Sequence, residues 1–233
     1  MISVCIATYN GEELIGEQLS SILSQLGPQD EIVISDDGST DNTLEVAKGF
    51  GDDRIHIYKG PAKGSLIYNF ENALRNAKGD IIFLSDQDDV WKSNKVETFI
   101  KHLKTSTCVV SDATVVDGNL NTTSESFYRL NRTKTGKLYN LLIKNGYLGC
   151  CMAFRRELLD AALPFPSNIP MHDIWLGNVA AFKYSVKFIP ERLMLFRRHG
   201  HNNSSTASKS VSSLRDKTSF RLNIIKDIIK IKR

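Results

Sequence analysis

Three aspartates, Asp86, Asp88 and Asp89, lie within four residues of one another, directly after an apolar run at residues 81–84. The run has the length and β-favouring composition of a strand that is buried on both faces. Carboxylates clustered at the end of a buried strand repel one another, so the cluster favours a positive charge among them. Because oxygen-only ligands select hard divalent ions, the cluster predicts a Mg²⁺ or Mn²⁺ site. The alternative is a solvated acidic turn that caps the next helix.

The first half of the chain alternates between strand and helix patterns, which would position these aspartates. Strands are predicted at residues 2–7, 31–35, 54–58 and 81–84. Helices are predicted at residues 12–26 and 65–77, and a further helix between the second and third strands ends at about residue 49. This alternation is typical of a mostly parallel, Rossmann-like α/β sheet flanked by helices. The right-handed crossover rule brings the polar strand ends to one edge of the sheet. We therefore expect these loops to converge there: residues 8–10, 36–37, 60–65 and 86–89.

The second half of the chain is less regular. It contains predicted strands at residues 109–116 and 186–198 and predicted helices at residues 155–162 and 171–183. The polar residues 117–137 are expected to form a long loop around an acceptor. We predict one α/β domain at residues 1–208, followed by a basic amphipathic helix at residues 209–233.

Composition and charge restrict the class of protein. The 233 residues include no run of transmembrane length and no predicted secretory signal peptide, and the four cysteines lack zinc spacing. Reduced, buried thiols in a cytoplasmic protein are therefore expected. Residues 209–233 hold eight basic and two acidic residues, a balance of +6, and the preceding 208 residues sum to −2. The positive net charge of the chain therefore comes from the tail. This distribution argues against a body that binds nucleic acid.

The C-terminal segment predicts an amphipathic helix. Leu222, Ile225, Ile228 and Ile229 share a helical face with basic residues around it. Such a helix can lie on an anionic membrane surface, which would place the protein peripherally at the inner face of a membrane. Alternatively, its apolar stripe packs on the body or on a second subunit.

The loop after the first strand tests two common kinds of nucleotide site. A dinucleotide-binding fold would carry Gly-x-Gly-x-x-Gly there, and an ATPase would carry a Gly-x-x-x-x-Gly-Lys-Ser/Thr loop, but residues 8–11 read Thr-Tyr-Asn-Gly. A nucleotide site without a glycine cradle, combined with a metal site, suits a nucleotide-sugar donor. Two alternatives stay open: a sugar nucleotidyltransferase, and a non-catalytic nucleotide-sugar binding protein.

Four motifs resemble the family 2 glycosyltransferases of the GT-A fold. They are Ala-Thr-Tyr-Asn at residues 7–10, Ser-Asp-Asp-Gly-Ser-Thr-Asp at 35–41, Asp-Gln-Asp-Asp-Val-Trp at 86–91 and His-Asp-Ile-Trp at 172–175. The sequence is most similar to the bacterial rhamnosyltransferase-like enzymes that build surface polysaccharides. The resemblance implies inverting transfer from a UDP- or dTDP-sugar to a saccharide or a lipid-linked saccharide, with Mn²⁺ or Mg²⁺ as cofactor.

The resemblance also implies roles for single residues. The nucleotide would be bound by Thr8, Tyr9, Asn10, Asp36, Asp37, Lys63 and Asp86. The metal would be held by Asp88, Asp86 and His199, with Arg197 and Arg198 pairing with phosphate oxygens. Asp36 would also support its loop, and the residues 36–41 have a helix N-cap cluster as their alternative.

The same resemblance makes Asp173 the general base. Inversion needs a carboxylate on the face opposite the leaving diphosphate, where it takes the proton of the acceptor hydroxyl. The alternative for Asp173 is a carboxylate that is favoured by the dipole at the start of a helix. Cys150 and Cys151 are not expected to act as nucleophiles, because displacement by a sugar hydroxyl needs no covalent intermediate.

Overall fold

The computed structural model describes residues 1–198 and 214–231, which contain one nine-stranded sheet with helices packed against it. The strands are β1 Ile2–Thr8, β2 Glu31–Asp36, β3 Ile55–Lys59, β4 Ile81–Ser85, β5 Val90–Trp91, β6 Cys108–Val116, β7 Thr122–Ser124, β8 Met152–Arg155 and β9 Val186–Arg197. The helices are α1 Ile15–Leu23, α2 Thr43–Lys48, α3 Leu66–Asn76, α4 Lys95–Leu103, α5 Phe127–Asn131, α6 Lys137–Leu142, α7 Glu157–Ala162, α8 His172–Lys183 and α9 Leu214–Lys230, and a 3-10 turn spans Gly149–Cys151.

The first half of the sheet is parallel, in the order β3-β2-β1-β4. β1 and β2 are buried along their whole length, as expected for strands covered by helices on both faces. From β1 the chain adds β2 and β3 on one side, and β4 then pairs with the other side. The direction of winding therefore reverses at β1, which makes the carboxyl ends of β1 and β4 the place where open α/β sheets bind ligands.

The second half of the sheet contains antiparallel pairs. β8 pairs antiparallel with both β4 and β6, and β6 runs parallel to β9. β5, directly after the three aspartates, pairs antiparallel with the end of β9. The predicted α/β sheet is confirmed, and the carboxyl end of β9 is brought to the loop that carries Asp86 to Asp89.

Residues 117–137 do not form the long loop that the sequence predicted. They contain β7 and α5, and α5 is fixed to β6 by the carboxylate of Asp112. That carboxylate accepts hydrogen bonds from Ser126 Oγ at 2.5 Å and from the Tyr128 backbone N–H at 2.8 Å. Phe127 is buried with its ring centre 5.8 Å from that of Phe196. Polarity alone was misleading here, because the Asp112 carboxylate accepts two of the segment's donors and fixes α5 to the sheet.

The C-terminal helix α9 packs on α8. Ile224 and Ile228 are buried in the main core, and the Lys183 Nζ donates to the Ile231 carbonyl at 2.8 Å. Packing on the body, one of the two predicted placements, is therefore present. The predicted apolar face was wrong in part, because Leu222 and Ile229 are exposed. In the described parts of the chain, no helix is long and apolar enough to cross a membrane.

The four cysteines are free and buried. Burial raises the pKa of the Cys108 thiol to about 12, and it also raises the pKa of Cys5 and Cys150. These three thiols are therefore neutral at physiological pH, and the burial of all four cysteines agrees with the prediction of buried thiols.

Candidate active site

A cavity of about 800 Å³ lies at the carboxyl ends of β1 and β4. This volume is within the range of pockets that hold a ligand of nucleotide size. The predicted loops converge on it, and its wall includes Thr8, Tyr9, Asn10, Asp37, Ser65, Asp86 and Asp88.

The carboxylate of Asp36 organises the loop after β2. It accepts hydrogen bonds from Thr8 Oγ1 at 2.8 Å, Ser39 Oγ at 2.5 Å and the Ser39 backbone N–H at 2.8 Å. Asp36 is buried and does not line the cavity. Of the two roles that the resemblance gave Asp36, support of the loop matches its surroundings, and a direct nucleotide contact does not.

Asp37 faces the cavity. Its carboxylate accepts the backbone N–H groups of Lys63 at 3.2 Å and Ser65 at 3.3 Å, which leaves further lone pairs for a ligand. The side chain of Lys63 is not part of the cavity wall. It lies instead over the ring of Tyr68, with its Nζ 4.7 Å from the ring centre. The prediction that Lys63 faces a diphosphate is therefore not supported by its position.

Gln87 joins the acidic loop to the loop after β1. Its Nε2 donates to the Tyr9 carbonyl at 3.1 Å, and its Oε1 accepts the Tyr9 backbone N–H at 2.9 Å. A side chain on Gly11 would begin 2.5 Å from the Gln87 amide carbon, so any larger residue there would displace the Gln87 amide from Tyr9. Asn10 is also fixed, since its Oδ1 accepts the Thr40 N–H at 2.8 Å. The sequence analysis did not single out Gln87.

Asp86, Asp89 and Cys150 form a cluster whose ligand atoms lie within 4.8 Å of one another. Burial, together with the charges of Asp88 and Asp173, raises the pKa of Asp86 to about 7. Burial and the charges of Asp88 and Asp86 also raise the pKa of Asp89 well above its usual range. The carboxylates therefore favour a cation or a proton among them.

The donor atoms of this cluster fit a hard divalent cation. Asp89 Oδ2 is buried and has no hydrogen-bond partner among the described residues. The raised pKa of Cys150 keeps its thiol neutral, so the donors available at neutral pH are carboxylate oxygens, the ligands that Mg²⁺ and Mn²⁺ prefer. Asp88 faces the same cavity, whereas His199 lies outside the described residues.

Lys95 supplies a buried positive charge behind the cluster. Its Nζ donates to the Cys150 carbonyl at 2.7 Å and lies 4.2 Å from the ring centre of Trp91. Its charge lowers the pKa of Asp86, which partly opposes the effect of burial. The sequence analysis missed Lys95. The available signal was its place beside Val96 and one turn before Phe99, on the apolar face of α4.

Arg197 lines the cavity and holds the acidic loop. Its guanidinium donates to the Asp88 carbonyl at 2.7 Å, to the Gly118 carbonyl at 2.6 Å and to the carboxylate of Glu17. Its backbone N–H donates to Asp89 Oδ1 at 2.8 Å. The side-chain bonds use three of its five guanidinium N–H groups, so its pairing with phosphate stays a prediction.

Asp173 lies at the start of α8 and close to Asp86. Its carboxylate accepts the backbone N–H groups of Gly149 at 3.0 Å and Ile174 at 2.6 Å. Burial raises the pKa of Asp173 to about 6, and its charge contributes to the raised pKa of Asp86. Asp173 is not part of the cavity wall, and only 8% of it is exposed.

His172 fixes the start of α8 as a neutral, packed ring. It stacks on Phe70 with the ring centres 3.9 Å apart, and burial lowers its pKa to about 3. A side chain on Gly149 would begin 2.9 Å from His172 Nε2, so a larger residue there would force either the packed ring or the backbone of Gly149 to shift. The N–H group that binds Asp173 belongs to that backbone.

Residues 3–163 match the family described as glycosyl transferase family 2. The chain is 28% identical over 230 residues to an uncharacterised glycosyltransferase of Nostoc sp., with 91% of this chain and 69% of the relative covered. It is 30% identical over 190 residues to the Escherichia coli UDP-Glc:alpha-D-GlcNAc-diphosphoundecaprenol beta-1,3-glucosyltransferase WfgD. This match covers 76% of this chain and 69% of WfgD. It is 30% identical over 214 residues to the dTDP-rhamnosyl transferase RfbG of Shigella flexneri, with 84% and 72% covered.

The fold is similar to those of solved glycosyltransferases. The structure of S. aureus TarS 1-349 in complex with UDP-GlcNAc matches with a TM-score of 0.74 and 20% identity, covering 100% of this chain and 67% of TarS 1-349. The mannosyltransferase PcManGT from Pyrobaculum calidifontis, solved with GDP-Man and Mn²⁺, matches with a TM-score of 0.66 and 22% identity, covering 86% and 58%. At these identities the likeness shows the fold, and it confirms the predicted GT-A architecture.

Proposed function

Since this chain belongs to glycosyl transferase family 2, we propose that it transfers a sugar from a UDP- or dTDP-sugar, with inversion, to a saccharide hydroxyl. One observation carries the proposal: at the switch point of the sheet, a single cavity collects Thr8, Tyr9, Asp37, Asp86 and Asp88. The relatives support both donor types, because WfgD is named for UDP-Glc and RfbG for dTDP-rhamnosyl transfer.

The acceptor that we propose is a lipid-linked saccharide used in the synthesis of a bacterial surface polysaccharide. WfgD is named for a diphosphoundecaprenol acceptor, and a B. subtilis relative, TuaG, is named for teichuronic acid biosynthesis. This acceptor would place the protein in the cytoplasm, peripherally at the inner face of the membrane.

The nucleotide is proposed to bind between the loops that follow β1 and β2. The half-exposed ring of Tyr9 would stack on the base, and Asp37 would accept a hydrogen bond from the pyrimidine N–H. Thr8 and Asn10 line the same side of the cavity. Asp86 and Asp88 would hold Mn²⁺ or Mg²⁺, which supplies Lewis acidity that neutralises the diphosphate leaving group.

Asp173 is proposed as the general base. The hydroxyl oxygen of the acceptor forms the new bond to the anomeric carbon as the bond to the diphosphate oxygen breaks on the opposite face. The Asp173 carboxylate takes the hydroxyl proton, and the diphosphate leaves with the bonding electron pair. The N–H groups of Gly149 and Ile174 orient the carboxylate. With a pKa of about 6, Asp173 is mostly ionised at neutral pH.

Family membership favours glycosyl transfer over the two alternatives. A sugar nucleotidyltransferase would need glycines and basic side chains for a triphosphate after β1, where residues 8–10 are Thr, Tyr and Asn. A non-catalytic binding protein would bind its donor equally well after the metal is chelated.

Calorimetric titration with UDP and with dTDP, each with Mn²⁺ and with EDTA, tests the donor site. We expect binding that depends on the metal and is lost in Asp88→Ala. The control variant is Asp53→Ala, because Asp53 is an exposed aspartate between α2 and β3. Failure of both nucleotides to bind with Mn²⁺, or equal binding in EDTA, would overturn the proposed donor site.

A further inference from the structure

We propose that the exposed sides of α6 and α9 form a docking surface for an anionic lipid bilayer. This α6–α9 surface is defined by Leu138, Leu142, Ile143, Leu222 and Ile229, which are exposed aliphatic side chains. The exposed fraction is 59% for Leu138, 63% for Ile143 and 73% for Ile229. The choice of a bilayer rests on the lipid-linked acceptor of the proposed function, and the surface itself is independent of the donor site.

The two helices of the α6–α9 surface are neighbours. Both pack on α8, and the Arg221 Nη2 of α9 donates to the Ile143 carbonyl at the end of α6 at 3.0 Å. At its other end, α6 contacts α8 through Lys137, whose Nζ lies 5.2 Å from the ring centre of Phe182. The exposed aliphatic side chains of α6 and α9 therefore belong to one continuous part of the molecule.

α9 has two apolar stripes, and within residues 1–198 and 214–231 the body covers only one of them. Ile224 and Ile228, one helical turn apart, are buried against the core. Leu222 and Ile229 lie two turns apart on another side of the helix and are exposed. Folding of the chain therefore does not account for the second stripe, and large apolar side chains grouped on an exposed face mark an interaction surface.

Charge around the α6–α9 surface identifies the occupant. Residues 126–144 carry five basic and no acidic residues, and residues 218–230 of α9 carry three basic and one acidic residue, although the whole chain has a net charge of only +4. Lys134, Lys137, Lys144 and Lys226 are exposed. Aliphatic side chains within a basic surface are typical of segments that lie on anionic lipid. A second copy of the chain would bring like charges together, which disfavours a dimer here.

The position of the α6–α9 surface suits an acceptor that is held in a membrane. Leu142, the last residue of α6, lies seven positions before Gly149, whose N–H binds the Asp173 carboxylate. Because a chain spans at most about 3.5 Å per residue, α6 ends within about 25 Å of the proposed base. A saccharide on a lipid carrier embedded beneath α6 would thus be held near the site of transfer.

Co-sedimentation of the full chain with vesicles tests the proposal. We expect binding to vesicles that contain phosphatidylglycerol, no binding to pure phosphatidylcholine, and release at high salt. Lys137→Gln combined with Lys226→Gln should weaken the partition by about fivefold for each lysine. The control is Lys101→Gln combined with Lys104→Gln, which removes two exposed lysines at the end of α4. Equal binding to neutral vesicles, or an equal loss in the control, would overturn the proposal.

A second variant, Leu138→Gln combined with Ile229→Gln, tests the apolar part without altering charge. It should lower vesicle binding while the melting temperature stays unchanged, because both side chains are exposed. Loss of a dimer in this variant, with vesicle binding unaffected, would assign the surface to a second copy and overturn the proposal. Metal-dependent donor binding together with absent vesicle binding would refute the docking surface alone. Vesicle binding together with absent metal-dependent donor binding would refute the proposed donor site alone.

Discussion

Replacement of Asp173 by asparagine is expected to abolish catalysis and to leave stability nearly unchanged. The carboxylate is held by two backbone N–H groups, at 2.6 Å from Ile174 and 3.0 Å from Gly149. Asparagine has nearly the same shape, so the cavity and the donor site are retained. It has no basic oxygen that could take the proton of an acceptor hydroxyl, and loss of a general base lowers the rate by about 10²–10⁴-fold.

The effect of this substitution on stability can be worked from the same contacts. Burial raises the pKa of Asp173 from 3.8 to about 6, which corresponds to a cost of about 3 kcal/mol in the folded state at neutral pH. Asparagine removes that cost, but its amide group leaves one backbone N–H without an acceptor, which costs about 1–3 kcal/mol. Because the two changes oppose each other, we expect a free energy of unfolding close to that of the wild type.

The pH dependence follows from the raised pKa. Because the base must be ionised, the wild-type transfer rate should rise about tenfold between pH 5 and pH 7 and level off above the pKa of about 6. For stability the sign is the opposite. The folded state binds the proton more tightly than the unfolded state, so the contribution of Asp173 to stability increases as pH falls from about 6 towards 3.8. The asparagine variant should lack this increase.

The assay measures transfer from the donor that binds in calorimetry, together with the donor Kd and the urea midpoint. The control is Asp160→Asn, which alters an exposed aspartate in the first turn of α7. Wild-type transfer by Asp173→Asn would remove Asp173 from the mechanism. A loss of donor binding equal to the loss of transfer would indicate a role in binding, which would refute its assignment as the base.

Three further predictions concern stability, and urea-induced unfolding measures each of them. Lys95→Met should cost about 1–3 kcal/mol, because the buried Cys150 carbonyl loses its hydrogen-bond donor. Asp86 and Asp89 also lose a nearby positive charge, so Mn²⁺ should stabilise this variant more than the wild type. Lys101→Met on the same helix is the control, and an equal effect of Mn²⁺ on both variants would contradict the electrostatic role of Lys95. Gly177→Ala should cost about 3 kcal/mol or more, since the new Cβ would lie 2.3 Å from Tyr147 Cγ. The control is Gly16→Ala, whose Cβ would lie 3.5 Å from Val46 Cγ1 and should be tolerated. Similar stability of the two variants would refute the packing argument. Ile228→Ala should cost about 2–5 kcal/mol, and Ile229→Ala should cost little; equal effects would show that α9 does not bury the stated face.

The first half of the fold was predictable because local patterns determine it. Apolar runs that end in polar residues identified β1, β2 and β4, and the crossover rule then placed Thr8, Asp37 and Asp86 at one edge. The position of β8 was not predictable. Its four residues pair with both β4 and β6, and no periodic pattern in residues 152–155 encodes the choice of neighbours.

The missed site residues depend on contacts between distant parts of the chain. A lysine is normally solvated, and Lys95 is buried because it meets the Cys150 carbonyl, 55 residues away. Arg197 was expected to face phosphate, and its guanidinium also reaches the Asp88 carbonyl, 109 residues away. In α9, two apolar stripes overlap in the sequence, and only the contact with α8 decides which one is buried. Local periodicity contains no information about such partners.

The burial of the four cysteines gives the outer surface a practical property. A thiol reacts as the thiolate; burial shields all four native thiols and raises the pKa of Cys5, Cys108 and Cys150. A cysteine introduced at Leu138 or Ile229 would therefore be the reactive thiol of the folded protein, without removal of any native cysteine. A polarity-sensitive fluorophore attached there would report the depth at which each helix enters a bilayer, so the chain is already suited to single-site labelling.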